Sequence, residues 1–192
     1  MVQLAQYDLI PSDVFTPASF PAMTSSHTVS LHPLQITDLE TLQEAAGKSQ
    51  DLLVPWYSTP QTVESWREFM QRRQGPNDLG FLVRRTSDAA LVGFIDITNI
   101  VRGVFQSGYL SYFSVSPHEG QGFMSSGLRL LVEHAFTELH LHRLEANIRP
   151  ENVKSIALVQ RAGFAREGYS PRYLKLDGAW RDHERWAILA EA

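Results

Sequence analysis

The sequence contains no cysteine, no excess of basic charge and no long apolar run. The absence of cysteine excludes disulfide frameworks, cysteine-based zinc sites, iron–sulfur clusters and a cysteine nucleophile. With 17 basic and 21 acidic residues the formal net charge is −4, so no broad basic field is present to drive binding to nucleic acid or to anionic membranes. No run of about 20 apolar residues is present, which predicts that no helix spans a membrane.

The length of 192 residues and the 43% content of hydrophobic residues predict one globular domain with an appendage. Residues 1–26 contain Pro11, Pro17 and Pro21, and we interpret them as an N-terminal extension that precedes a domain at 27–192. The first residues lack the basic and apolar regions of a signal peptide, so we expect a cytoplasmic protein.

Hydrophobic periodicity predicts the element order β, α, α, β, β, β, α, β, α, β, β, with seven strands and four helices. Three consecutive strands are predicted at 79–85, 91–100 and 107–115, and the period then changes to that of a helix over 120–139. This order indicates a mixed α/β sheet with helices on its faces.

The segment 115–131 carries the strongest chemical signal, because a strand is followed by a loop with Gly120 and Gly122 and then directly by a helix. Free N–H groups at a helix N-terminus bind anions, and glycines let phosphate oxygens approach the backbone. The Walker pattern is excluded because Gly127 is followed by Leu128 and Arg129 and not by Lys and Ser or Thr. The dinucleotide-binding pattern is excluded because it requires a third glycine at the position of Ser125. A plain strand-to-helix turn is the alternative interpretation.

The segment 147–164 carries a second signal at the start of the next predicted helix. Asn152 and Ser155 are three residues apart and can share one helix face, and Gly163 is placed to end the helix. The alternative is an Asn that caps the helix beside an incidental Ser.

The two segments together resemble the GNAT superfamily of acetyl-CoA-dependent N-acetyltransferases. The loop pattern of that family, Q/R-x-x-G-x-G/A, is matched at Gly122 and departs at Glu119 and Met124. One branch, the RimJ/RimL ribosomal-protein N-terminal acetyltransferases, is resembled more closely. Five stretches carry this second resemblance, which covers residues 27–190: TNIVRGVFQSGYLSY (98–112), GQGFM (120–124), HRLEANIRPENVKS (142–155), RAGFAREGY (161–169) and LDGAWRDH (176–183).

The resemblance implies a GNAT fold whose sheet splays between the strand that ends at Val115 and the strand at 142–148, with acetyl-CoA in the opening and no metal. An N–H near Val115 is the implied donor to the oxyanion. The backbone groups implied to hold the pantetheine are those of Phe113, Ser114 and Val115. The residues implied to hold the pyrophosphate are Gly120, Gln121, Gly122, Phe123, Met124, Ser125 and Ser126. Asn152 and Ser155 complete the implied acetyl-CoA contacts.

The implied reaction is acetyl transfer to the N-terminal α-amine of a protein, with ribosomal proteins as the leading class of acceptor. Many GNAT members protonate the leaving thiolate with a Tyr, but that position is Val159 here, and Ser155 is the implied substitute. Some relatives carry a carboxylate that acts as the general base on the strand before this helix, and the same position is Asn147 here. As the general base we therefore consider Glu145 first and Asp96 second. An α-amine has a pKa of about 7.7–8.0, so a weak base or a water relay suffices.

Two other functions stay open at this point. The chain could acetylate a small amine such as an amino acid, polyamine or drug, or it could bind acetyl-CoA as a regulator without catalysis. We expect no direct contact with nucleic acid or membrane, and either a monomer or a homodimer. Surface or capping roles are favoured over metal binding for three histidines: His134, His140 and His142. Three aromatic residues could line the acceptor groove, with core packing as the favoured alternative: Trp56, Tyr57 and Trp66.

Overall fold

The structure, a computed structural model, describes residues 28–54, 56–176 and 178–191. The predicted N-terminal extension at 1–26 and its boundary with the domain therefore lie outside the described residues, as does Asp177 in the last predicted turn. Among the helices of the described ranges, none is long and apolar enough to cross a bilayer.

Seven strands and five helices make up the described part of the chain. The strands are β1 (Val29–Pro33), β2 (Leu79–Arg85), β3 (Leu91–Val101), β4 (Ser107–Ser114), β5 (Arg143–Ile148), β6 (Ala165–Leu176) and β7 (Ala179–Leu189). The helices are α1 (Leu39–Lys48), α2 (Gln50–Leu53), α3 (Val63–Arg72), α4 (Phe123–Thr137) and α5 (Val153–Arg161), and a 3-10 turn at Ile36–Asp38 precedes α1.

The strands form one sheet in the order β1-β2-β3-β4-β5-β7-β6. Every neighbouring pair is antiparallel except β4 and β5, which run parallel. A parallel pair needs a crossover, and α4 supplies it between these two strands. The prediction of a mixed α/β sheet of seven strands is confirmed.

Two apolar clusters cover the two faces of the sheet. The larger cluster lies between the sheet and α4 and α5, with Leu128, Leu131 and Leu144 fully buried. The smaller cluster lies under α1 to α3, where Leu42 and Met70 are fully buried. Residues alternate between the faces along each strand, so neighbouring positions of β4 project toward different helices.

The helix count departs from the prediction by one. The sequence DLLVPWYS at 51–58 predicts a turn-rich apolar segment, but Gln50–Leu53 forms a single helical turn, α2, that directly follows α1. The Ser49 hydroxyl at this junction is buried, donates to the Ala45 carbonyl at 2.7 Å and accepts from the Ser116 N–H at 3.0 Å. The junction thus fixes the chain just after β4.

Candidate active site

The sheet opens between β4 and β5. These strands are paired at only three positions, from Ser107↔Arg143 to Tyr109↔Glu145, and the described residues give β4 no partner on this side beyond Tyr109. The two strands share a direction, so the opening lies toward their C-terminal ends. The central splay implied by the resemblance is therefore present.

The orientation of the β4 backbone corrects part of the implied acetyl-CoA contacts. The N–H of Val115 donates to the Val92 carbonyl at 3.0 Å, so it is not available as the oxyanion donor expected from the sequence. Because backbone groups alternate along an antiparallel pair, Phe113 also faces β3, and Ser114 faces the opening. The backbone groups of Tyr112 and Leu110 face the side of β5 by the same alternation, and this follows from the β3–β4 register, which no local sequence pattern encodes.

The glycine loop adopts the geometry expected of an anion site. Gly122 is the N-cap of α4 with φ 84°, and Gly120 has φ 75°. A Cβ added at either position would meet no other atom within 4 Å, so the loop backbone is uncovered by the rest of the described chain. These features fit a pyrophosphate held by backbone N–H groups at the positive end of α4.

Ser126 contributes less to this cradle than expected. Its N–H donates to the Gly122 carbonyl at 3.1 Å within the helix, and its hydroxyl accepts from the Thr28 hydroxyl at 3.3 Å. The amides of Phe123, Met124 and Ser125 precede the first helical hydrogen bond and remain candidates. Gln121 instead uses its side chain to hold the loop, donating to the Pro117 carbonyl at 3.0 Å.

The departure of Met124 from the family pattern has a structural explanation. A Cβ added at Gly93 of β3 would lie 2.0 Å from the Met124 sulfur, so the Met124 side chain occupies the space that Gly93 leaves empty. A larger residue at the start of α4 is thereby accommodated without moving the helix from the sheet.

The start of α5 faces the same opening. The Asn152 side chain caps the helix, accepting from the Ser155 N–H at 3.2 Å, and its amide N–H groups remain as donors. Tyr112 of β4 lies beside Ser155, and its hydroxyl donates to the Ser155 carbonyl at 3.3 Å. Burial raises the pKa of Tyr112 well above its usual value, so this hydroxyl stays protonated. Tyr112 and Ser155 thus connect β4 to α5 beside the opening.

Glu145 lies at the last paired position before the opening. Its Oε1 accepts from Arg143 Nε at 2.8 Å, and Arg143 also pairs with Glu167. Burial, followed by the charge of Glu145, raises the pKa of the neighbouring Tyr109. Glu145 therefore lies beside the opening but is held in an ion-pair network, and its role as a base stays a prediction.

A cavity of about 660 Å³ lies on the α3 side of the sheet beside the opening. Its wall includes Ser111 of β4, Arg73 at the end of α3 and Leu176 at the end of β6. The volume is within the roughly 300–1,000 Å³ that is typical of ligand sites. Because Ser111 lies in the part of β4 that β5 does not cover, the cavity reaches the opening from the face opposite α4 and α5.

Asp96 lies beneath this cavity and is not exposed. Its Oδ2 accepts from Arg73 Nε at 2.5 Å, and its Oδ1 accepts from the Ser111 hydroxyl. A carboxylate with both oxygens engaged and no exposure cannot contact an acceptor amine, so the prediction of Asp96 as an alternative base is wrong. Removing one partner of such a buried pair typically costs about 3–5 kcal/mol.

The aromatic residues divide between the cavity and the core. Trp56 and Tyr57 line the cavity, whereas Trp66 is buried in the cluster under α1 to α3. The Tyr57 hydroxyl lies near Ser111 and Arg73, and burial raises its pKa above the usual value. The Arg149 guanidinium lies 5.1 Å from the Trp56 ring centroid, so the loop after β5 contacts the cavity wall.

The histidines considered as metal ligands do not meet. Within the described ranges, no group of three or more His, Cys, Asp or Glu side chains could hold a metal ion. His134 is buried against the Phe81 ring, with centroids 5.5 Å apart, so its predicted surface or capping role is wrong, while His140 and His142 are exposed.

Comparisons with known proteins agree on one family. Residues 28–165 match the family described as "Acetyltransferase (GNAT) domain". The Bacillus subtilis protein named "Probable N-acetyltransferase YjcK" is 33% identical over 175 residues, which are 87% of this chain and 97% of that protein. The Escherichia coli [ribosomal protein uS5]-alanine N-acetyltransferase is 39% identical over 98 residues, which are 51% of this chain and 50% of that enzyme.

Solved structures give the same result. Mycobacterium smegmatis RimJ in complex with CoA-disulfide superposes with a TM-score of 0.77 at 32% identity, covering 84% of this chain and 82% of that one. A more distant relative has another type of acceptor: the spermidine N(1)-acetyltransferase of Vibrio cholerae is 22% identical over 84% of this chain and 92% of that enzyme.

Proposed function

Because the chain belongs to the GNAT acetyltransferase family and is therefore an N-acetyltransferase, we propose that it transfers acetyl from acetyl-CoA to the N-terminal α-amine of a protein. The observation that carries this proposal is the cavity beside the splayed strands. A ribosomal protein is the class of acceptor that the relative acting on uS5 suggests.

The two substrates approach from opposite faces of the sheet. The uncovered β4 edge and the glycine loop at Gly122 suit the pantetheine and the pyrophosphate of acetyl-CoA on the side of α4. The cavity beside Ser111 suits the acceptor on the side of α3. The reacting groups then meet in the opening between β4 and β5, where the sheet has no backbone pairing.

The charges at the cavity wall favour a peptide over a polyamine. A polyamine carries several ammonium groups and calls for several carboxylates. Among the described residues, the cavity wall includes one carboxylate, Glu68, and the guanidinium groups of Arg72 and Arg73, which pair with Asp78 and Asp96. Because both guanidinium groups are already paired with carboxylates, Glu68 is the acid of the described wall that is left for an ammonium group, which suits the single charge of a peptide N-terminus.

The reaction requires few groups from the protein. The neutral amine attacks the thioester carbonyl, the C–N bond forms, and the C–S bond breaks as the amine loses its proton and the thiolate gains one. The Ser114 N–H replaces Val115 as the proposed donor to the oxyanion, an effect of about 3–4 kcal/mol in studied enzymes. We assign proton delivery to Ser155, whose backbone Asn152 and Tyr112 hold.

A panel of acceptors tests this function. Free thiol release is followed with acetyl-CoA and peptides that begin with Ala or Ser, the same peptides with acetylated N-termini, and spermidine. We expect release only with free N-termini. Release with spermidine alone would replace the peptide by a small amine, and acetyl-CoA binding without release for any acceptor would favour a regulator.

A further inference from the structure

We propose that Arg73 binds the carbonyl oxygen of the acceptor's first residue and that Asp96 holds the Arg73 guanidinium in place from below. This inference rests on the proposed function, because it identifies how the α-amine of a peptide is recognised. It assigns a specificity-determining contact in the cavity beside β4.

Arg73 is held on three sides. Its Nε donates to Asp96 at 2.5 Å, its Nη1 donates to the Phe69 carbonyl at 3.4 Å, and its guanidinium carbon lies 3.5 Å from the centroid of the Phe69 ring. Its side chain is 13% exposed and forms part of the cavity wall. A guanidinium has five N–H donors; these two hydrogen bonds use two of them, and the Tyr57 hydroxyl lies within reach of a third. The rigid side chain thus keeps donors for a ligand in the cavity.

Asp96 determines what kind of oxygen Arg73 can bind. The Asp96 carboxylate is buried and lies directly against the guanidinium, so the pair carries no net charge. A second carboxylate on Arg73 would be repelled by Asp96, whereas a neutral carbonyl oxygen receives a hydrogen bond from a charged donor at no such cost. The pair therefore suits an amide carbonyl rather than an anionic group.

An amide carbonyl next to the reacting amine distinguishes a protein N-terminus from other amines. In a peptide the α-amine and the first carbonyl are attached to the same Cα, whereas a polyamine has no carbonyl. Ser111 faces both Asp96 and the cavity from the uncovered part of β4, which puts Arg73 beside the opening in the sheet. Binding at Arg73 would orient the amine toward the thioester and leave polyamines without this contact.

The test compares two acceptors that differ only at the first peptide bond, whose carbonyl oxygen can accept from Arg73 and whose N–H cannot. One is a peptide beginning with Ala, and the other replaces its first peptide bond by an alkene of the same geometry. We expect Arg73→Gln to lower kcat/KM for the peptide by roughly ten- to a hundredfold and to change kcat/KM for the alkene far less. The difference in basicity between the two amines is the same for every variant, so it cancels in the comparison.

Further variants separate recognition from folding. Arg73→Gln leaves Asp96 buried without its partner, so Arg73→Gln combined with Asp96→Asn provides a neutral pair. Arg73→Lys keeps the charge and loses the planar fork, and we expect it to lose part of the preference for the peptide. Arg67 is exposed on α3, and Arg67→Gln is the matched control. It should keep the wild-type ratio of kcat/KM for the peptide to kcat/KM for the alkene.

Each outcome has one meaning. A merely structural role for Arg73 would lower kcat/KM equally for both acceptors. The inference would be overturned if the ratio of kcat/KM for the peptide to kcat/KM for the alkene were unchanged in Arg73→Lys and in the neutral pair. If wild-type protein acetylates the peptide but the preference for the peptide over the alkene does not depend on Arg73, the inference fails and the proposed function stands. If wild-type protein acetylates spermidine and neither peptide nor alkene, the proposed function fails and the inference fails with it.

Discussion

At the scale of single residues, the start of α5 shows how a short motif acquires a chemical environment. Asn152 uses its side-chain oxygen as the helix cap, so the position of Ser155 is fixed by the backbone of the first turn. Tyr112 adds a contact from β4, across the opening. The backbone of Ser155 is thereby held by groups from two different elements, and the hydroxyl is attached to a fixed Cα.

Replacing Ser155 by Ala tests whether this hydroxyl serves the leaving thiolate. We expect kcat to fall about tenfold or more and the Kd of acetyl-CoA to change little, because proton delivery acts on the transition state. Steady-state kinetics and calorimetric titration with acetyl-CoA measure the two quantities. Gln160→Ala, at an exposed position of the same helix, is the control, and an unchanged kcat in Ser155→Ala would remove this residue from the mechanism.

Residue spacing predicted only the local part of the site. Asn152 and Ser155 lie within one helical turn, so their proximity follows from the sequence. Asp96 and Arg73 are 23 positions apart, and they meet only because α3 packs across β3. The direction of the Val115 N–H depends on the β3–β4 register, which no local pattern encodes.

At the scale of elements, α4 lies close to the sheet because two glycines leave room for it. Gly93 of β3 gives space to the Met124 side chain, and a Cβ at Gly127 of α4 would lie 2.9 Å from Val83. Close packing of this helix determines where its N-terminus points. The proposed phosphate cradle therefore depends on the packing of α4 as well as on its glycine loop.

Gly122→Ala tests the cradle without adding charge or a clash. An L-residue at φ 84° is strained by about 1–2 kcal/mol, and we expect the loop backbone to relax and to turn its N–H groups away from the ligand. Calorimetry should show a Kd for acetyl-CoA at least about tenfold weaker, equivalent to about 1.4 kcal/mol.

A matched glycine separates this effect from a general loss of stability. Gly103 has φ 71° and equally open surroundings, but it lies in the loop between β3 and β4. Gly103→Ala should lose similar thermal stability and keep wild-type affinity for acetyl-CoA. Wild-type affinity in Gly122→Ala as well would mean that the cradle lies elsewhere.

His134 links the stability of α4 to pH. Burial lowers the pKa of His134 below its usual value of 6.5, and the buried Nε2 has no hydrogen-bond partner in the described ranges. The unfolded chain therefore binds this proton more readily, and the free energy of unfolding falls as pH decreases below about 6.5. His134→Leu should reduce the loss of stability between about pH 7.5 and about pH 5.5 in urea titrations.

The residual pH dependence of that variant has an identified source. Burial also lowers the pKa of His32 and His183, so the loss of stability should shrink without vanishing. His142→Gln, at an exposed position, should behave as wild type. A loss of stability in His134→Leu as large as that of wild type would contradict the assignment.

The elements themselves were largely predictable because their periods are strong. The predicted strand at 79–85 coincides with β2, and the predicted helix over 120–139 contains α4. The turn of helix at Gln50–Leu53 was missed because four residues are too few for a period to appear, and its conformation depends on packing beside α1. The predicted helix over 120–139 begins three residues before α4 and ends two residues after it, because the glycine loop precedes the first helical residue.

At the scale of the whole molecule, the opening in the sheet is accessible from both faces, which is what the proposed placement of two substrates requires. The parallel β4–β5 pair ends after three positions, and each face of the opening is served by a different group of helices. Periodicity indicated strands and helices but not which strands adjoin, so the splay was available only through the family resemblance. The acceptor cavity needed the structure, because residues from α3, β4 and β6 form it together.

The most direct measurement of the central claim is the position of the acetyl group on a peptide that begins with Ala and carries an internal Lys. Wild-type protein is incubated with acetyl-CoA and this peptide, and tandem mass spectrometry locates the added acetyl. We expect one acetyl group, on the N-terminal amine, and none when that amine is blocked. Acetyl on the Lys side chain, or none on the peptide while spermidine is acetylated, would contradict the account.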